Sequence, residues 1–216
     1  IADRPRHPHG PCPGPVLLGA TILVANLHNA VLAGARLAVP MVALDLAASQ
    51  PLVGLMAALF TALPMLASVR FGRWLDRVGT LRPMIACAAL ILAACGLVTA
   101  LPDLRSLLLA AALIGLGTVL SHMAGTRAVV GFGAVRDRAR HLGYLAVGYS
   151  LFQFVGPLVA GFSYDRLGTR GAFAALGAMP LLTLLLLVLT RCHLFTTTAP
   201  APAGRKAGQG ALGLLR

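Results

Sequence analysis

Glutamate is absent from this 216-residue chain, lysine occurs once, at Lys206, and the single tryptophan is Trp74. Charged residues make up 11% of the sequence and aromatics 6%. Soluble domains carry about a quarter charged residues, so the composition excludes an ordinary soluble globular fold. All six acidic residues are aspartates, scattered along the chain. They form no pair of neighbouring carboxylates for general acid–base work. No GxSxG serine, HExxH helix or phosphate-cradling glycine loop occurs. Ser121 and His122 are adjacent, but neighbours on a helix point about 100° apart and make no dyad. The sequence therefore reads as a non-enzyme.

Cysteine is also sparse. Cys87 and Cys95 fall within an apolar stretch, while Cys12 and Cys192 lie on a basic side of the chain expected to face a reducing compartment. They form no disulfide framework. His7, His9 and Cys12 lack a fourth ligand and sit in the Pro- and Gly-rich string HPHGPCPGP, which reads as a tail rather than a metal site. No metal and no cofactor is expected.

The chain is rich in apolar residues, which make up 58%, with a mean hydropathy of +0.84. Six stretches, near 16–40, 51–70, 83–101, 106–128, 143–163 and 171–190, are long enough to cross a hydrocarbon core of ~30 Å. The fold class expected is an all-α membrane protein, a six-transmembrane-helix bundle over residues 15–191. Residues 1–14 read as a flexible N-terminal tail, and 192–216 as a flexible cytoplasmic tail or inter-domain connector. A cleaved signal peptide ending at LAGA (32–35) is the weaker reading, because NLHN interrupts its apolar run and apolar character resumes after Arg36. The first residue is Ile rather than Met, so further sequence is expected before it.

The net charge of +12 does not point to nucleic acid, because its distribution follows the spans. Grouped by alternate loops, fourteen Lys and Arg residues fall on one side and three (Arg105, Arg166 and Arg170) on the other. The positive-inside rule makes the first side cytoplasmic. The expected location is a bacterial inner membrane with both termini in the cytoplasm, and the lipid bilayer is the first partner.

A repeat organises the chain. GRWLDRVGT at 72–80 returns as GFSYDRLGT at 161–169, matching Gly72, Asp76, Arg77, Gly79 and Thr80 with Gly161, Asp165, Arg166, Gly168 and Thr169. The offset of 89 residues fits a unit of three membrane helices. An odd number of spans per unit places the second copy upside down, as in the inverted repeats of many transporters. Spans 1–3 and 4–6 are therefore expected to form two inverted three-helix repeats.

Polar side chains within spans are rare and informative. Asn26, Asn29, Ala33, Arg36 and Pro40 share one face of the first helix, and Ala111, Gly115, Thr118, His122 and Gly125 share one face of the fourth. Facing stripes of this kind would line a hydrated cleft. Asn26 and Asn29 fit equally well as interhelical hydrogen-bonding groups. Arg36 lines the cleft, or snorkels outward, or pairs with Asp45; an arginine near mid-membrane costs at least ~2.5–3.5 kcal/mol on insertion scales. A free imidazole titrates near neutrality, so His122 offers either a proton relay or a plain core hydrogen bond. Gln153, Tyr149 and Ser150 are further lining candidates. In the fifth span Gly148, Gly156 and Ala160 stand at multiples of four, a spacing that lets helix backbones approach.

These residues resemble the N-terminal half of the major facilitator superfamily, over residues 16–191. The string with Gly72, Asp76, Arg77, Gly79 and the displaced Arg82 resembles that family's signature loop between spans 2 and 3. Gly143, Gly156, Pro157, Ala160 and Gly161 resemble its fifth-span antiporter motif. The pattern is departed from in three places: Thr80 and Leu81 replace a basic pair, Ala111 and Ile114 replace the Arg and Gln of a fourth-span motif tied to proton coupling, and Phe152 replaces a glycine. The resemblance implies that Asp76 stabilises the outward-facing state against the other half, that Gly72 permits that approach, and that the fifth-span motif shapes a bend closing the cavity. It also implies a small-molecule solute or drug as cargo and a second six-helix bundle as partner, with efflux a mode found in such antiporters; the sequence itself leaves the direction open. The closing string GALGLLR reads as a connector toward a seventh helix, so the chain is expected to be a fragment or truncation of a twelve-helix protein. The competing function class is a non-transporting membrane scaffold, sensor or assembly subunit.

Overall fold

The computed structural model describes residues 15–132 and 135–194. The expected tails at 1–14 and 195–216 lie outside the described residues, as do His7, His9 and Cys12. Five α-helices account for nearly all of the rest: α1 (Pro15–Asp45), α2 (Gln50–Val78), α3 (Leu81–Ala100), α4 (Leu104–Gly131) and α5 (Arg138–Leu194), with a 3-10 turn at Val135–Asp137. No strand occurs among the described residues. All five helices are long and apolar enough to cross a membrane, and in lipid a helix satisfies its own backbone polar groups.

Helix ends follow local chemistry. Pro51 occupies the first turn of α2, where its missing N–H has no intrahelical role. At the start of α4 the backbone N–H of Asp103 donates to Ser106 Oγ at 3.1 Å, half of a capping box. The GRWLDRVGT string is not the open loop expected. Its residues stay helical to Val78, and the chain turns only at Gly79, whose φ of +79° disfavours any side chain.

The spans expected at 143–163 and 171–190 lie in one helical element rather than two. That element loses helical geometry at a single residue, Gly168 (φ +66°, ψ −162°). Gly156 and Leu176 are twenty residues apart, about 30 Å along an unbroken helix. Yet a methyl group built on Gly34 would meet the Gly156 carbonyl oxygen at 2.8 Å and the Leu176 side chain at 2.6 Å. The element therefore doubles back at Gly168 into two arms, 138–167 and 169–194. Pro157 and Pro180 lie inside the arms without breaking them.

Helix α1 is the centre of the molecule. Of its most apolar stretch 72% is buried, against 17% for α2, which presents most of its surface outward. α1 packs against both α4 and α5, α3 against α4 and α5, and α2 chiefly against α4. Val31, Val39, Met56, Ile91, Ile114 and Phe173 meet in a core drawing on all five helices. Between apolar helices in lipid the association comes from close contact rather than water exclusion. The small residues supply it: Gly115 lets the backbone of Phe60 in α2 approach, and Gly156 nests against Ala30 and Gly34 in α1.

Candidate functional site

The crossing of α1 with α4 and the first arm of α5 leaves a pocket of about 140 Å³. Ala25, Asn29 and Leu32 line it from α1, Thr118, Val119 and His122 from α4, and Tyr149 from α5. The two stripes expected to face each other thus meet at Asn29 on one side and at Thr118 and His122 on the other. Asn29 is the organising polar group. Its Nδ2 donates to the Tyr149 carbonyl at 3.2 Å, and its Oδ1 accepts from Gln153 Nε2 at 3.4 Å. These bonds bring Gln153, exposed on the same arm, to the margin of the pocket. The Thr118 hydroxyl donates to the Ile114 carbonyl one turn back at 2.7 Å, leaving its oxygen as an acceptor toward the pocket. The His122 ring stacks on Tyr149 with centroids 4.8 Å apart and planes tilted by 31°.

Asn26 lies elsewhere. It is buried in the α1–α5 contact, its amide against the backbone of Gly148, with Nδ2 donating to the Ile22 carbonyl at 2.8 Å. The lack of a Cβ at Gly148 makes room for it. Arg36 is exposed and does not line the pocket itself; it forms no ion pair with Asp45 or any other carboxylate among the described residues. Ser150 is exposed and bonds its own helix at Ala146.

Sequence reasoning missed His28. Its side chain is fully buried, and its Nδ1 lies 2.7 Å from Ser121 Oγ, joining α1 to α4. Cys87 of α3 lies 3.9 Å from the same nitrogen. The signal was present, since an imidazole inside an apolar span needs a partner. It was obscured by reading NLHN only as an interruption, and by testing Ser121 only against its sequence neighbour His122.

The two repeated strings behave differently at their acidic residues and alike at their glycines. Asp76 forms an ion pair with Arg127 near the end of α4. Both partners are substantially exposed, so the pair contributes no more than about 1 kcal/mol. Arg77 and Arg82 are exposed, and Gly72 faces only the tip of Met123, at 3.5 Å from an added methyl. In the second string Arg166 lies over the Phe162 ring at 4.7 Å. Gly79 and Gly168, equivalent by the 89-residue offset, adopt the same unusual backbone, +79°/−171° and +66°/−162°.

In the fifth-span motif, Gly156 makes the tightest approach to α1, Ala160 is buried in the core and Gly161 faces Leu37 at 4.0 Å. Gly143 has open space around it. Backbone angles are helical through Gly156 and Pro157, so this segment serves close packing, and the only break in α5 is at Gly168.

A sequence profile described as the Major Facilitator Superfamily matches residues 21–215. The chain belongs to that superfamily. Among solved structures, a mutant of the peptide transporter POT in complex with sulfate superposes with a TM-score of 0.79 at 21% identity. The superposition covers 91% of this chain and 42% of that one, so the chain spans about two fifths of the length of the transporter it matches. At that identity the likeness is one of fold. No curated protein matches by sequence. As a superfamily member with apolar membrane-spanning helices, the protein is an integral membrane protein of a transporter family.

Proposed function

We infer that this bundle is the N-terminal half of a secondary active transporter that moves a small solute by alternating access, and that it works with a second six-helix bundle. The observation that carries the reading is the pocket itself: an apolar bundle brings Asn29, Thr118, His122 and Tyr149 from three helices to the wall of one space. A purely structural scaffold would have no need of such a space. In this reading α5 counts as two spans joined at Gly168, making six, with both termini on the fourteen-cation cytoplasmic face and export as the direction.

The inverted-repeat reading has two supports. Gly79 and Gly168 share one backbone conformation. In addition, Gly125, two residues before the Asp76 partner Arg127, packs on Ala25 toward the start of α1, whereas Gly161, four residues before Asp165, faces Leu37 toward its end. Asp76 and Asp165 thus lie toward opposite ends of α1, as two copies of opposite orientation require. The signature residues Gly72, Asp76, Arg77, Gly79 and Arg82 then sit at the cytoplasmic mouth, where Asp76 can exchange Arg127 for a helix of the other half.

Transport by proteoliposomes containing a twelve-helix parent of this bundle tests the assignment. Arg36→Ala should impair transport without loss of insertion or expression, and His122→Asn should change affinity, or the pH profile if the imidazole couples protons. Unchanged transport in both variants would reduce the polar stripes to helix-packing devices.

A further inference from the structure

Resting on the transporter reading, we propose that the solute is a small organic anion with an apolar or aromatic body, held at its charged end by Arg36. Ala25, Asn29 and Leu32 all line the pocket, and at about 100° per residue they span an arc of about 60° on α1. Arg36 falls inside that arc, one turn beyond Leu32. Leu37, by contrast, points to α5, where it meets Gly161, and His28 points to α4. Arg36 is exposed, so its guanidinium stands at the open end of the same cleft rather than in a helix contact.

The described carboxylates lie away from the pocket. Asp45 ends α1, Asp103 precedes α4, Asp137 lies in the 3-10 turn beside Arg136, and Asp76 is paired with Arg127. Asp165 stands three residues before the break in α5. None lines the pocket, and the chain has no glutamate. Among the described residues the cleft therefore holds one positive charge and no negative charge. A fixed cation with low-dielectric walls concentrates anions and repels cations. A guanidinium also presents a planar fork matched to carboxylate or phosphate oxygens.

The rest of the pocket describes the body of the solute. Leu32, Ala25 and Val119 are apolar, the stacked His122 and Tyr149 rings offer an aromatic wall, and Asn29 with Gln153 provides amide groups at one edge. The volume of about 140 Å³ is close to that of a ~150 Å³ cavity that accommodates benzene. A benzoate-sized anion fits these dimensions.

The test probes the field at the pocket without knowing the natural solute. In the full chain, with Cys12, Cys87, Cys95 and Cys192 replaced by alanine or serine, Leu32→Cys places one thiol a helical turn from Arg36. Its labelling rate is measured in phosphatidylcholine vesicles with an anionic sulfonatoethyl and a cationic trimethylammonium-ethyl methanethiosulfonate, each rate being divided by the same reagent's rate with a free thiol in solution. The two reagents differ by two unit charges, which at about 8 Å from the guanidinium favours the anion about fivefold even in a water-like dielectric. The ratio should hold in Arg36→Lys and fall to near one in Arg36→Gln. Benzoate should slow labelling where Arg36 is present, and benzamide and benzylamine should not. Equal rates for the two reagents with Arg36 in place would overturn the anion assignment and leave the transporter reading standing. Stronger protection by benzylamine than by benzoate would overturn it also, as would protection by added phosphatidylglycerol alone, which would give Arg36 to a lipid headgroup. A thiol that reacts with neither reagent would overturn both the anion assignment and the hydrated cleft on which it rests.

Discussion

Replacing Gly156 by alanine tests whether close backbone contact holds α1 against α5. A methyl group at that position would lie 2.9 Å from the Gly34 nitrogen and from the Ala30 carbonyl carbon, and closer still to the Ala30 oxygen. These are backbone atoms, so no rotamer change relieves the contact and the two helices must separate. Overpacking of this kind costs typically ~1–3 kcal/mol, offset by up to about 1 kcal/mol of helix propensity gained over glycine. The net expectation is a loss of about 1–2 kcal/mol. Gly161→Ala is the matched control on the same arm: its new methyl group finds its nearest neighbour at 4.0 Å, and the variant should be neutral or slightly stabilised. Reversible unfolding in mixed detergent micelles, followed by circular dichroism, gives both values. Equal stability of the two variants would refute the claim that the α1–α5 crossing is set at Gly156.

Gly168→Ala and Gly79→Ala force side chains into positive-φ backbones and should each destabilise by about 1–2 kcal/mol in the same assay, whereas Gly143→Ala, with open space around it, should not. His28→Ala removes the buried partner of Ser121 and leaves a void between α1, α3 and α4, so a loss of about 2 kcal/mol or more is expected; stability equal to wild type would show that the contact contributes nothing. Thiol labelling of Arg105→Cys from outside and of Arg136→Cys only after the membrane is opened checks the orientation, both native side chains being exposed; the reverse pattern would invert the topology.

The helical membrane class was legible because lipid leaves so few choices: a run of about twenty apolar residues flanked by arginines has one common solution. Boundaries were less legible. The strings around Asp76 and Asp165 carry charge and looked like loops, yet their residues remain helical until a glycine permits the turn. Periodicity showed that Asn26 and Asn29 share a face, but a face about 100° wide can touch two neighbours. Asn26 sits on the side that meets Gly148, and Asn29 sits one turn on, where the helices part to leave the pocket. Only the crossing geometry separates them. The Asp76–Arg127 and His28–Ser121 pairs span 51 and 93 residues, and no local pattern announces partners at those distances.

The repeat shows the converse, a long-range feature that sequence exposes better than geometry does. Traced by hydrogen bonding alone, α5 is one element of 57 residues, nearly twice as long as α1. The string GFSYDRLGT marks the place where it must turn, because Gly168 stands where Gly79 stands in the first copy and takes up the same backbone. The neighbouring residues have diverged: Asp76 has an ion partner in Arg127, while Arg166 rests on an aromatic ring. What persists is the residue type that a positive φ demands, since any side chain at either position strains the turn made there. The charged positions are free to specialise because exposed ion pairs contribute little to stability. The glycines are not, because the path of the chain depends on them.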